Sequence, residues 1–117
     1  MIDEELILKL LNECWSLKSS SIWTKDNPAK GQCGVTSLVI NDNFGGNILK
    51  TKLHNGQWHF YNSINGKCYD FTSSQFENQI EYLDTLSNRD EAFSDTSEEQ
   101  YSYLSNEFKK FINTIKR

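Results

Sequence analysis

The chain has 117 residues, a net charge of −4, and 37% hydrophobic, 24% charged and 13% aromatic residues. That length holds one modest domain whose core can be filled largely by rings. The negative balance excludes nucleic acid and anionic membranes as default partners, since both call for a cationic surface, and no apolar run nears the ~20 residues that span a bilayer.

The three cysteines follow an acidic N-terminus without a basic leader, which points to a cytoplasmic protein with reduced thiols. Few prolines and glycines leave no room for a linker, so residues 1–117 read as one domain. Asp3 caps a first helix, with Ile2 and Ile7 placed for a hydrophobic staple. Leu6, Ile7, Leu10, Leu11, Cys14 and Trp15 form its apolar stripe. Ser, Lys, Asp, Asn, Pro and Gly then mark a loop from about Lys18 to Gln32. Trp23 inside that loop is either an anchor or a piece of a substrate wall. A second helix is expected from about Cys33 to Asn41, with Val35, Leu38, Val39 and Asp42 on one side. Gly45 and Gly46 end it.

A β-meander follows: Asn47–Leu53, Gln57–Ile64 and Lys67–Thr72, joined at Asn55-Gly56 and Asn65-Gly66. Asn-Gly between β-like runs is the strongest short hairpin signal. Ser73–Leu83 reads as a short helix and Ser87–Ser97 as an exposed loop. The last helix starts at Ser97, with Gln100 in capping-box position. Tyr101, Leu104, Phe108, Phe111, Ile112 and Ile115 form its buried stripe. Lys109, Lys110, Lys116 and Arg117 suit the negative end of its dipole. The fold class is therefore α+β.

Two-residue turns at both Asn-Gly pairs fix a register. Lys52 then faces His59, where its ammonium disfavours the imidazolium unless a bulge or a splayed Lys stem intervenes; Tyr61 faces Asp70, and His59 faces Thr72. Alternation puts His59, Tyr61, Cys68 and Asp70 on one face, with Trp58, Phe60, Tyr69, Phe71, Leu49 and Leu53 on the other. His59 and Asp70 become diagonal neighbours, close enough for the carboxylate to orient the ring. Cys33 at a helix start feels the positive end of the dipole, which favours thiolate. If its helix crosses the His59 face, Cys33, His59 and Asp70 are the parts of acyl-transfer chemistry. Cys33, His59, Cys68 and Asp70 read alternatively as a metal cluster, although no ligand spacing supports it. A Cys33–Cys68 regulatory disulfide is a further alternative.

The stretches "NPAKGQCGVTSLVINDNFGG" and "WHFYNSINGKCYDFTSSQF" resemble the YunG family. The resemblance rests on Gly31-Gln32-Cys33 with Thr36-Ser37-Leu38-Val39, Gly45-Gly46, His59 with Tyr61-Asn62, and Asp70 with Thr72 and Gln75-Phe76. Its Cys, His, Asp order is similar to that of papain-like and transglutaminase-like thiol enzymes. That similarity implies a papain-like core, with a central helix packed on a short antiparallel meander between N- and C-terminal helices. It also implies a thiol hydrolase or acyltransferase acting on an amide or ester, with Cys33 as nucleophile, His59 as base and acid, and Asp70 as orienter. Gln32, Asn27 and the amides around Cys33, Gly34 included, are the oxyanion candidates. Trp23, Trp58 and Tyr61 are candidate cleft walls, although parity favours a core position for Trp58. No cofactor is implied, and the partner is an unspecified peptide, protein or small amide or ester. A non-catalytic protein-binding module on the same fold is the rival.

Overall fold

A computed structural model describes residues 3–115. Ile2 of the expected staple, and Lys116 and Arg117 of the expected helix end, lie outside the described residues, as does the side chain of Ile115. The architecture is α+β: four helices and one four-stranded antiparallel sheet.

Helix α1 spans Glu4–Cys14, and the Asp3 carboxylate accepts the Leu6 N–H at 3.1 Å, as the sequence predicts. Ile7, Leu10, Leu11 and Cys14 are its buried face. Helix α2 spans Cys33–Phe44 and is buried on every side from Cys33 to Ile40. The expected one-sided stripe is thus corrected: this is a central helix, apolar nearly all round, as such positions require. Its β-branched residues are held helical by packing rather than by propensity. The polar groups it carries inward are satisfied: Trp15 Nε1 donates to Thr36 Oγ1, and Asn62 Nδ2 donates to the Ser37 carbonyl. The chain leaves α2 through Gly46, where φ is +78° and a Cβ would lie 2.0 Å from the Ser63 carbonyl oxygen. Only glycine fits that approach.

Strands β1 (Asn47–Lys52), β2 (Trp58–Ile64), β3 (Lys67–Tyr69) and β4 (Thr85–Leu86) form a sheet in the order β3-β2-β1-β4. The second turn is as expected. Asn65 and Gly66 both take positive φ, and Ile64 pairs with Lys67. The first hairpin corrects the predicted register. Thr51, not Lys52, faces His59, and Lys52 faces Trp58. The Gly56 N–H donates to the Leu53 carbonyl, and the Leu53 N–H donates to the Gln57 carbonyl. With Gly56 at φ +86°, this is a three-residue loop whose glycine forms the bulge after the turn. One extra loop residue turns β1 over relative to β2. Leu49 and Thr51 join the His59 face, and Ile48 takes the place opposite. Strand β3 also ends three residues early, at Tyr69, so neither Asp70 nor Thr72 pairs with β2.

Downstream, the expected helix at 73–83 shrinks to a single 3-10 turn, Ser73–Gln75. The stretch after it runs across the His59 face on polar contacts. Thr51 Oγ1 donates to the Glu81 carbonyl and accepts the Leu83 N–H, and Tyr61 OH donates to Asp84 Oδ1 at 2.6 Å. The expected exposed loop contains helix α3, Arg89–Phe93, capped by Asn88 and pinned by the fully buried Ala92. Helix α4 spans Glu98–Ile115 and begins with the predicted Ser97/Gln100 capping box. The opposite sheet face carries the apolar core. Ile64, Tyr69 and Phe71 pack there with α1, α2 and the Leu104 and Phe108 rings and branches of α4. Ile48 and Phe60 pack with Leu38, Cys33 and Ala92.

Candidate active site

The site forms where the sheet runs out. Ile64 and Lys67 flank a two-residue turn and are therefore a hydrogen-bonded pair, so even-numbered residues of β2 direct their N–H toward β3. Because β3 stops at Tyr69, the amide of Phe60 faces an open edge. Helix α2 packs on the Phe60 face and not, as expected, across the His59 face. The two faces meet at that open edge. Cys33 from one and His59 from the other line a single cavity of about 550 Å³, together with Gly31, Trp58, Gln75, Phe76 and Asp95.

His59 is 1% exposed. Its Nε2 lies 2.7 Å from Asp70 Oδ2, and its ring is held edge-on by Phe76 at 4.9 Å and stacked with Tyr61. Asp70 is itself fixed. Oδ1 accepts from the backbone N–H and hydroxyl of Thr72, and Oδ2 accepts from Tyr82 OH. In the neutral ring, the tautomer that donates Nε2–H to this carboxylate carries its lone pair on Nδ1. That Nδ1 is buried and has no partner.

Cys33 is 8% exposed. Its thiol donates to Asp95 Oδ2 at 3.2 Å rather than to His59, and the same oxygen accepts the Gly34 N–H at 3.1 Å. Burial first, and Asp95 second, push the thiol well above its ordinary range, while the Phe60 backbone amide pulls the other way. The expectation of a dipole-stabilised thiolate is corrected by magnitude. A helix terminus contributes about 1 kcal/mol, whereas burying a charge costs several. Asp95 as a residue is exposed, yet its carboxylate is packed on α2. Desolvation there raises its pKa, against the hydrogen bonds from Cys33 and Gly34.

The remaining candidates sort as follows. Gly34 belongs to the site, with no room for a side chain: a Cβ would lie 2.7 Å from the Ala92 carbonyl oxygen. Gln32 is wholly buried at the N-cap of α2, and its amide makes no hydrogen bond and does not line the cavity. Asn27 donates to the Gln75 carbonyl, tying two loops together outside the cavity. Trp23 packs against the core cluster as an anchor, and its neighbour Ile22 lines the cavity instead. Tyr61 lines a second cavity with Cys68, Asp70, Tyr82 and Asp84. Trp58, placed in the core by parity, is 41% exposed and lines the first cavity. It begins β2 beyond the reach of α2, and its ring carries the Lys50 ammonium 4.3 Å from its centroid.

The three cysteines are free. Among the described residues no group of three His, Cys, Asp or Glu could hold a metal ion, so the Cys33–His59–Cys68–Asp70 cluster does not assemble. No described helix is long and apolar enough to cross a membrane. Sequence reasoning missed Asp95, Gln75, Phe76 and Tyr82 as parts of the site. The Asn88-x-x-Glu91 spacing was a capping signal for the helix that delivers Asp95. Gln75-Phe76 is part of the family resemblance, but a Gln-Phe pair has no spacing that ties it to His59.

Residues 3–113 match the family described as YunG protein. The chain is 54% identical over 111 residues to the Bacillus subtilis (strain 168) protein named "Uncharacterized protein YunG", covering 95% of this chain and 96% of that one. No solved structure matches. The chain belongs to the YunG family.

Proposed function

We propose that this YunG-family chain is a thiol hydrolase or acyltransferase on a papain-like core, acting on an amide or ester through Cys33, His59 and Asp70. One observation carries the reading. A wholly covered imidazole, bound at Nε2 by a fixed carboxylate, keeps an unpartnered Nδ1, and His59 and Cys33 line the same cavity. A buried polar atom without a partner costs about 1–3 kcal/mol, and such a cost recurs where chemistry needs the atom free.

In the reaction the sulfur turns from Asp95 to His59. Its proton passes to Nδ1 while its electron pair bonds the carbonyl carbon and the carbonyl π pair moves onto oxygen. Collapse of that intermediate expels the amine or alcohol, which takes the proton from Nδ1 and leaves a thioester on Sγ. Water, or another nucleophile, gives a proton to Nδ1 as it adds to the thioester. The sulfur leaves and recovers that proton. Asp70 keeps the ring in one tautomer and stabilises the imidazolium.

The pH dependence of Cys33 alkylation by iodoacetamide tests this. With His59 as base, the wild-type rate exceeds what ionisation of the thiol alone supplies, and His59→Ala removes that excess, slowing the reaction by about 100-fold. Identical profiles in both proteins, rising only as the thiol itself ionises above the neutral range, overturn it. That result would favour the binding module, the reading that the 8% exposure of Cys33 and its bond to Asp95 support.

A further inference from the structure

We propose that Asp95 is a specificity residue that makes the Cys33 site accept uncharged carboxamides and refuse carboxylates. The inference deepens the thiol-enzyme reading and rests on it for its chemistry. Asp95 Oδ2 lies 3.2 Å from Sγ and 3.1 Å from the Gly34 nitrogen. Any acyl group reacting at the sulfur must set its substituents beside that oxygen. A second anion there meets like charge, whereas an amide N–H is a donor that the oxygen accepts. The carboxylate is held close, because the end of α3 is seated on α2. A Cβ at Gly34 would lie 2.7 Å from both the Ala92 carbonyl oxygen and Asp95 Cβ. Lys30 lines the same cavity, but it is exposed and makes no ion pair with Asp95.

The far side of the cavity fits an amide as well. Gln75 Oε1 accepts the Gly31 N–H at 3.3 Å, which identifies Nε2 as the free end of that side chain. This Nε2 is a buried donor without a partner. That donor and the accepting Asp95 oxygen match a carbonyl oxygen and an N–H, the two halves of a carboxamide.

Iodoacetamide and iodoacetate differ at the group that matters, and each alkylates by forming an S–C bond as iodide leaves. Their rates at Cys33, read by peptide mass spectrometry near neutral pH, give a selectivity ratio for the folded chain. The same ratio at Cys33 in urea-unfolded chain is the reference. The expected ratio in the folded protein is at least about fivefold above the reference. Asp95→Asn keeps an oxygen for Gly34 and brings the ratio within about twofold of the reference, through a faster iodoacetate reaction. Gln75→Leu slows iodoacetamide while leaving iodoacetate unchanged. A folded ratio equal to the reference overturns the proposal without needing any variant to fold. An elevated ratio that survives Asp95→Asn also overturns it, and equal slowing of both reagents in Gln75→Leu removes the amide match. His59→Ala keeps the two ideas apart: it lowers both rates together if His59 is the base, and it leaves the ratio in place.

Discussion

The two faces of the sheet are covered by different means. One is sealed by α1, α2 and α4 through apolar area, with Leu11, Leu38, Leu104 and Phe108 fully buried. The other is sealed by an irregular stretch, 70–84, which grips the sheet through hydrogen bonds with Thr51 and Tyr61 and is braced internally by Tyr82 donating to Asp70. Apolar packing is tolerant of direction, whereas hydrogen bonds fix it. The helix side therefore supplies stability, and the loop side supplies the orientation that His59 and Asp70 need.

Substitutions on each face should separate these roles. Phe108→Ala removes a fully buried ring from the helix side and should cost about 3–5 kcal/mol in urea unfolding. At a temperature where the variant stays folded, its Cys33 alkylation should match wild type, and a changed rate would show that the faces are not independent. Asp70→Asn should cost about 2 kcal/mol, since this carboxylate accepts from His59, Thr72 and Tyr82, and bonds to charged groups are the stronger ones. Unlike Phe108→Ala, it should also slow Cys33. Tyr61→Phe loses the hydroxyl that donates to Asp84 and accepts its N–H, at about 1 kcal/mol. Cys33 reactivity should hold, because Tyr61 lines the other cavity. A slowed thiol in that variant would merge the two cavities into one functional unit.

The smallest effect is at Asp95. Its folded-state pKa is raised above 3.8, so the ionised form is the disfavoured one in the folded protein. The stabilising contribution of the neutral acid is complete below 3.8 and is lost as pH rises through the folded value. Asp95→Asn should therefore gain a few tenths of a kcal/mol over wild type at pH 7, small because solvent screens an exposed residue. The gain should vanish on acidification. A gain that does not change with pH would assign it to something other than the carboxyl.

Much of the helix face was legible because periodicity reports on apolar packing. Asp3, the α1 stripe and the Ser97/Gln100 box all read directly. The loop face was not, since its hydrogen bonds join residues without a local pattern: Thr51 meets Glu81 and Leu83, and Cys33 meets Asp95 from 62 positions away. The His59–Asp70 pair was found through a register that was right in the second hairpin and wrong in the first. The same Asn-Gly dipeptide serves both a two-residue turn and a three-residue loop with a bulge, because each needs a glycine at positive φ. A clue was present. The predicted register put the Lys52 ammonium opposite a covered imidazole, whereas the observed one puts the fully buried Thr51 there and leaves Lys52 exposed. Five-residue α3 has too few turns to show a period, so Asp95 stayed hidden with it.

The hairpin connection at 54–56 is polar and exposed, the kind of segment in which insertions and deletions usually pass unnoticed. Here they would not. Losing a single residue would turn β1 inside out, driving Lys50 and Lys52 under the covering stretch and Thr51 and Leu49 against α2. Apart from Gly56, held at positive φ, side-chain identity in that tip is free to drift, but its length is as tightly bound as any core residue.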